Sequence, residues 1–285
     1  MTDSKEVLVG AVTSRRHEKF LDKWLDGVRA FTQPHDLFVV DTTRGTKSYY
    51  NKLEKRGVDV ERYNWDPKKE HCFEMISNAK NMLRDRLLSN GYDSFFMFDT
   101  DEFIPPESLK RLVEHDKDNV GYPTPMWHKD PCVFKEGGFV AQGDGTFKLN
   151  HYSWEELFRM QEDQKSQLLK VHSVGNGCLL SKKKVYKKVA WCSPHFPPIA
   201  EDTLFYVNCE KYGFESWVDM GIIPLHLPVG WNNIPGWKED VLFGKHMAVA
   251  HGWVTDDDPK ERPIHWYEPG DGTPEHTEDE GTGNK

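Results

Sequence analysis

The segment Ser94-Phe95-Phe96-Met97-Phe98 runs without a break into Asp99-Thr100-Asp101-Glu102. Four consecutive large apolar side chains leave no polar face, so a strand here must be covered on both sides. The run is short, and the turn signal Asn90-Gly91 precedes it, which favours a buried parallel strand. Its acidic end then falls at the carboxyl edge of a sheet, where open α/β folds take up their ligands.

Asp99 and Asp101 stand two apart, so on a continuing strand both carboxylates leave the same face. Two carboxylates held together are costly unless a cation or a proton lies between them, which points to a divalent metal. Asp116/Asp118 and Asp256/Asp258 repeat the spacing. Neither copy follows an apolar strand, and both are read as solvated charge.

Upstream, the chain alternates between strand and helix patterns. Val7–Val12 is a short apolar strand closed by the polar turn Thr13-Ser14-Arg15-Arg16. Phe20, Leu21, Trp24, Leu25 and Val28 then recur at helical spacing. Leu37–Val40 is a second strand, ending in Asp41. A polar helix is expected over Tyr49–Lys55, a strand over Val58–Tyr63 and a long helix over His71–Leu88. This alternation implies a mainly parallel sheet with right-handed crossovers.

Beyond residue 104 the pattern changes. A short helix should start near Pro105-Pro106-Glu107-Ser108. Val120–Tyr122, Gly138–Val140 and Thr146–Leu149 read as antiparallel strands. Trp154–Gln164 is a charged helix or loop, and Gly177–Leu180 is a buried strand. A proline-rich loop (Ser193–Pro198), a helix (Glu201–Tyr212), a strand from Ser216 extended to Leu225 and a helix (Glu239–His251) follow. The end, Glu268–Lys285, is Gly/Glu/Thr-rich, and a disordered tail is expected there.

The 285 residues allow one large α/β domain with a small appendage. The expected division is a main domain over 1–252, in two halves over 6–104 and 105–252, and a C-terminal extension over 253–285. A net charge of -9 makes nucleic acid an unexpected partner, whereas an anionic nucleotide can bind with help from a metal. No stretch has the length of a transmembrane helix, and the start Met1–Glu6 is too polar for a secretory signal. Five cysteines without C-x-x-C spacing fit reduced thiols. A soluble, cytoplasmic protein is therefore expected.

Two further segments carry chemistry. Glu201-Asp202 opens a helix with Leu204, Phe205 and Val207 on its apolar side, a place where acids also serve simply as first-turn residues. His226 closes the apolar run Ile222–Leu227. In isolation each has an ordinary structural reading.

Taken in order, these segments resemble the GT-A fold glycosyltransferases, most nearly glycosyltransferase family 2 and its relatives. The matching features are Val9–Arg15, the acid-ended strand Val40-Asp41, the helix Ser77-Asn78-Ala79-Lys80-Asn81 and Asp99-Thr100-Asp101. Gly175-Asn176-Gly177, Glu201-Asp202 with Gly213 and finally His226 complete the set. The resemblance spans residues 6–230. It implies a Rossmann-like α/β fold with helices on both faces of a mainly parallel sheet, and a smaller antiparallel region on the acceptor side.

The resemblance also implies roles. Asp41 would lie against the base or ribose, and Thr13, Lys80 and Arg84 would stand on the nucleotide side. Asp99 would face the ribose or a metal-bound water. Asp101 and His226, with Asp99, would hold Mn²⁺ or Mg²⁺. Asp202 would be the general base, supported by Glu201. The donor would be a UDP- or GDP-sugar, the acceptor a glycan, lipid or protein-linked hydroxyl, and the transfer inverting.

Lys80 stands where many relatives have arginine. The Q-x-x-R-W signature of processive synthases is absent, which favours transfer of a single sugar. Trp127, Trp154, Trp191, Trp231 and Trp237 are candidates for stacking on an acceptor, and Val229–Asn233 for a lid. Two other readings remain: a sugar nucleotidyltransferase, against which the glycine-free turn Thr13–Arg16 counts, and a non-catalytic glycan-binding module on the same fold.

Overall fold

The computed structural model describes residues 6–125, 130–141, 147–193 and 201–227, with side chains described outside 136–141 and 147–149. In chain order the elements begin with β1 (Val7–Thr13), a 3-10 helix (Arg15–Phe20), α1 (Leu21–Arg29) and β2 (His35–Asp41). Next come α2 (Ser48–Lys55), β3 (Asp59–Arg62), α3 (Cys72–Ser89), β4 (Ser94–Phe98) and β5 (Glu102–Phe103). Then follow α4 (Ser108–Glu114), β6 (Asn119–Gly121), β7 (Val133–Ala141), β8 (Phe147–His151) and α5 (Trp154–Gln164). The remainder is β9 (Leu168–Val171), β10 (Ser173–Val174), β11 (Cys178–Lys182), α6 (Lys183–Tyr186), α7 (Glu201–Lys211), β12 (Ser216–Asp219) and β13 (Leu225–His226).

Eight strands form one sheet in the order β3-β2-β1-β4-β11-β6-β12-β9. The half from β3 to β4 is parallel throughout, and β11 enters antiparallel to β4. Side chains of β4 alternate between the two faces, as the pleat requires. Phe95 and Met97 join a core with Ala79 and Leu83 of α3 and Phe205 of α7. Phe96 and Phe98 join the opposite core with Leu21 and Trp24 of α1, Leu53 of α2 and Leu109 of α4. The unbroken apolar run is thus explained by helices on both faces.

Thr13 pairs with Asp41 in register, and β1 is flanked by β2 and β4. The carboxyl ends of β1, β2 and β4 therefore share one edge, at the point where the strand order reverses.

Two sequence expectations are corrected. β6 is antiparallel only to β11 and runs parallel to β12. The strand from Ser216 does not extend to Leu225: it stops at Asp219, whose carboxylate accepts the Gly221 N–H at 2.8 Å and pairs with Arg111 and His115. β9, which covers the free edge of β12, is only 4 residues long, too short to stand out as a strand in the sequence. Trp154–Gln164 is a helix, opened by a capping box between Ser153 and Glu156. The expected helix Glu239–His251, the lid Val229–Asn233 and the C-terminal tail lie outside the described residues.

Candidate active site

The backbone turns sharply where β4 ends. The Glu102 N–H donates to the Asp99 carbonyl at 3.1 Å, and the Asp99 N–H donates to the Gly177 carbonyl at 2.8 Å. Asp99 to Glu102 is therefore a turn rather than a continuing strand, and the two acids come together through its curvature. Burial raises the Asp99 pKa, and the neighbouring Asp101 raises it further, against the pull of Lys80, His17 and His226.

A two-stranded ribbon brings the histidine in. β13 pairs antiparallel with β5, setting His226 opposite Glu102, and the Leu227 N–H donates to the Asp101 carbonyl at 2.8 Å. The His226 Nδ1–H donates to the Pro125 carbonyl at 3.0 Å, which turns Nε2 towards an Asp101 carboxylate oxygen 3.8 Å away. Burial alone would lower the imidazole pKa. Asp101 and Glu102 outweigh it, and the net shift is upward.

Glu102 has a part that sequence reasoning did not assign. It is 2% exposed and accepts hydrogen bonds from the hydroxyl of Thr124 and the thiol of Cys178. Burial pushes its carboxyl up to about 7. Gly177 makes room for it: a Cβ there would overlap the Glu102 carboxyl and lie 3.2 Å from an Asp99 oxygen. Gly177→Ala is expected to destabilise the fold by about 1–3 kcal/mol, the usual size of an overpacking effect. Thermal denaturation would show this as a lowered Tm, and an unchanged Tm would mean that the carboxyl yields without strain.

The second pair of acids arrives from α7. Lys80, on α3, donates to Glu201 at 2.7 Å, and both side chains are less than a tenth exposed. The ammonium also lies 4.6 Å from the centroid of Trp191. Burial alone would lower the Lys80 pKa, yet Glu201, Asp99 and Asp202 together outweigh it and the net shift is upward. One buried cation thus faces acids from both β4 and α7. Asp202 accepts the Thr203 N–H at 2.7 Å. Burial, then Glu201, push its carboxyl up to about 6, with Lys80 opposing.

The other expected residues are placed differently. Thr13 is buried, its hydroxyl within 3.1 Å of both Tyr49 and Thr100, and His17 Nδ1 meets Thr100 at 2.5 Å. Thr13 therefore braces the acidic turn from below. Asp41 is fully buried, accepting the Thr43 N–H at 2.8 Å. Its second oxygen has no hydrogen-bond partner among the described residues and stands 3.7 Å from Arg62, a residue not singled out in the sequence.

Arg84 is held away from the acids. One turn beyond Lys80, its guanidinium donates to the carbonyls of Tyr186 and Val189. It ties α3 to the end of α6 and the residues just after it. Trp191 is also corrected: it is 2% exposed and stacks on Phe205 at 4.1 Å, with its backbone held by Asn81. Trp154 stacks on Phe158. Trp127, Trp231 and Trp237 lie outside the described residues.

Among the described residues, no group of three or more His, Cys, Asp or Glu side chains closes around one point. The donors that face each other are Asp101 and His226. A carboxylate oxygen with an imidazole nitrogen suits Mn²⁺ or Mg²⁺, and two protein donors leave positions for ligand oxygens. A separate cleft of about 400 Å³, lined in part by Ser94, Leu112, Lys182 and Lys184, opens at the other end of β4. Lys182 and Lys184 are already paired with Asp116 and Asp118, the surface copy of the D-x-D spacing. No described helix is long and apolar enough to cross a membrane.

No protein-family model and no curated protein matches the sequence. Among solved structures, the chain is similar to GalNAc-T7 with UDP, GalNAc and Mn²⁺. The TM-score is 0.58 at 11% identity, covering 86% of this chain and 48% of that one. It is also similar to residues 1–349 of S. aureus TarS in complex with UDP, with a TM-score of 0.50, 13% identity, and coverage of 88% and 66%. The chain thus spans about half the length of the first and just under two thirds of the second. A parallel half-sheet ending in an acidic turn, an antiparallel entry of β11 and these structural likenesses agree: the chain has the GT-A fold.

Proposed function

We propose that the protein is a glycosyltransferase that moves a sugar from a nucleoside-diphosphate sugar to an acceptor hydroxyl with inversion. The observation that carries this reading is the convergence of two acid sets at one sheet edge, joined by Lys80. GalNAc-T7 was solved with UDP, GalNAc and Mn²⁺, and TarS with UDP, which supports the same donor class here.

Asp101 and His226 are the residues that would hold the cation. When bound, Mn²⁺ or Mg²⁺ supplies a Lewis acid that stabilises charge on the departing diphosphate. Asp41 would accept an N–H of the base through the oxygen that lacks a hydrogen-bond partner among the described residues. Asp202 takes the proton from the acceptor hydroxyl. The acceptor oxygen forms its bond to the anomeric carbon as the carbon–oxygen bond to the diphosphate breaks, and the diphosphate leaves with that electron pair. Lys80 holds Glu201 so that the first turn of α7 keeps Asp202 in place.

Asp202 acts only as the carboxylate, so its raised pKa sets the acid limb of the reaction. The rate should fall as pH drops through about 6, well above the ordinary aspartate range. Release of UDP or GDP from a panel of nucleotide-sugars, measured in Mn²⁺ between pH 5 and 8, tests this. A rate that stays flat down to pH 5 would remove Asp202 from the base role.

A further inference from the structure

A chain of buried hydroxyls runs to the middle of the acidic turn and ends on an imidazole. Tyr49 meets Thr13 at 3.1 Å, Thr13 meets Thr100 at 3.1 Å, and Thr100 meets His17 Nδ1 at 2.5 Å. Tyr49, Thr13 and Thr100 are each no more than 2% exposed. Burial pushes the Tyr49 phenol up, so it keeps its proton. Each of these hydroxyls therefore needs an acceptor for its O–H, because buried polar groups find partners.

The direction of the chain follows by elimination. Among the described residues the Tyr49 hydroxyl has Thr13 as its partner and no other, so the phenol donates to Thr13. The Thr13 O–H is then left with Thr100 as acceptor, and the Thr100 O–H with His17 Nδ1. Reversing the chain would strand the Tyr49 O–H in the core. His17 therefore accepts at Nδ1 and carries its proton at Nε2. The residue is partly exposed, and its Nε2 has no hydrogen-bond partner among the described residues.

His226 is set the opposite way. Its Nδ1–H donates to the Pro125 carbonyl, which leaves the Nε2 lone pair for a cation. His17 has no lone pair to give a metal, since Thr100 occupies one nitrogen and the proton the other. What it offers is an N–H, and an N–H serves an acceptor. The exposed Arg15 and Arg16 precede it on the same 3-10 helix, so the acceptor that fits is an anion. We propose that Thr100 is a positioning residue that fixes this tautomer, and that His17 donates from Nε2 to a phosphate oxygen of the diphosphate. The two imidazoles beside the turn thus divide the work, His226 for the cation and His17 for the anion. This rests on the nucleoside-diphosphate reading above.

Two measurements on the full chain test this. Nitrogen NMR of the histidine rings, in diamagnetic Mg²⁺ at about pH 8 where an ordinary imidazole is uncharged, reads the tautomer directly. The signal lost in His17→Phe should show a proton at Nε2 and a hydrogen-bonded, unprotonated Nδ1. Thr100→Val, which keeps the shape of the side chain, should abolish the hydrogen bond at Nδ1, and Thr100→Ser should keep it. Calorimetric titration of UDP, GDP and inorganic pyrophosphate in Mn²⁺ reads the role. His17→Phe should weaken nucleotide and pyrophosphate alike by about tenfold, the worth of a hydrogen bond to a charged acceptor. Thr100→Val should weaken them by about threefold or more, and Thr100→Ser should restore wild-type affinity. Adding Thr100→Val to His17→Phe should cost nothing further, because the first acts through the second.

A wild-type His17 with its proton at Nδ1 would overturn the proposal. So would losses that add in the double variant, which would make Thr100 a purely structural residue. Unchanged pyrophosphate affinity in His17→Phe would overturn it too, placing the acceptor on the base or sugar if nucleotide affinity falls. Failure of the wild type to bind either nucleotide would instead overturn the glycosyltransferase reading, and the ligand assigned to His17 with it.

Discussion

Asp202→Asn is expected to slow sugar transfer by about 10³-fold, the usual worth of a positioned general base. The acceptor hydroxyl has a very high pKa, and the amide cannot take its proton. The shape of the first turn of α7 is kept, so nucleotide affinity and Tm should stay close to wild type. Asp202 stands where burial and Glu201 push its carboxyl up to about 6, which makes it a stronger base than an exposed aspartate while leaving it ionised at pH 7. Single-turnover rates with saturating donor, compared with calorimetric donor affinity, separate the two effects. Intact transfer in the variant would place the base elsewhere, and a parallel fall in donor affinity would make Asp202 a binding residue.

Lys80→Met should have the largest effect on stability. Lys80 and Glu201 are both less than a tenth exposed, and their 2.7 Å contact joins α3 to α7. Removing the cation leaves a carboxylate buried beside Asp202 and Asp99 with nothing to offset it. Breaking one side of such a pair costs about 3–5 kcal/mol. For a domain of this size that is a fall in Tm of roughly 10 °C. Lys80→Met/Glu201→Leu should recover most of the loss, because the pair is then removed as a unit. A single variant as stable as wild type would show that the pair contributes little. A double variant as unstable as the single would show that Lys80 matters through its packing on Trp191 instead.

The strand-and-acid edge was legible in the sequence because each part leaves a local trace. Four apolar residues before Asp99 fit only a strand covered on both faces, and α1, α2 and α3 follow apolar spacing. His226 was read as a partner of Asp101 from the resemblance, and the β5–β13 ribbon supplies the physical reason. The pairing of Lys80 with Glu201 was not legible. The two are 121 positions apart, and nothing in the sequence distinguishes Lys80 from Arg84 on the same helix. Backbone carbonyls at the end of α6 and just after it take up Arg84, and no sequence pattern marks them. Glu102 was visible only as a third acid, because the small residue that admits it, Gly177, lies far along the chain in the turn before β11.

The central claim is that the acidic turn and His226 form a nucleoside-diphosphate–metal site. Calorimetric titration of UDP and GDP into the protein, with Mn²⁺ and again after chelation, tests it most directly. One of the two nucleotides should bind in Mn²⁺ and weaken at least about tenfold without it, since carboxylate and diphosphate repel each other unless a cation lies between. Asp101→Asn should abolish that metal dependence. No nucleotide binding under either condition, or equal binding with and without Mn²⁺, would contradict the account.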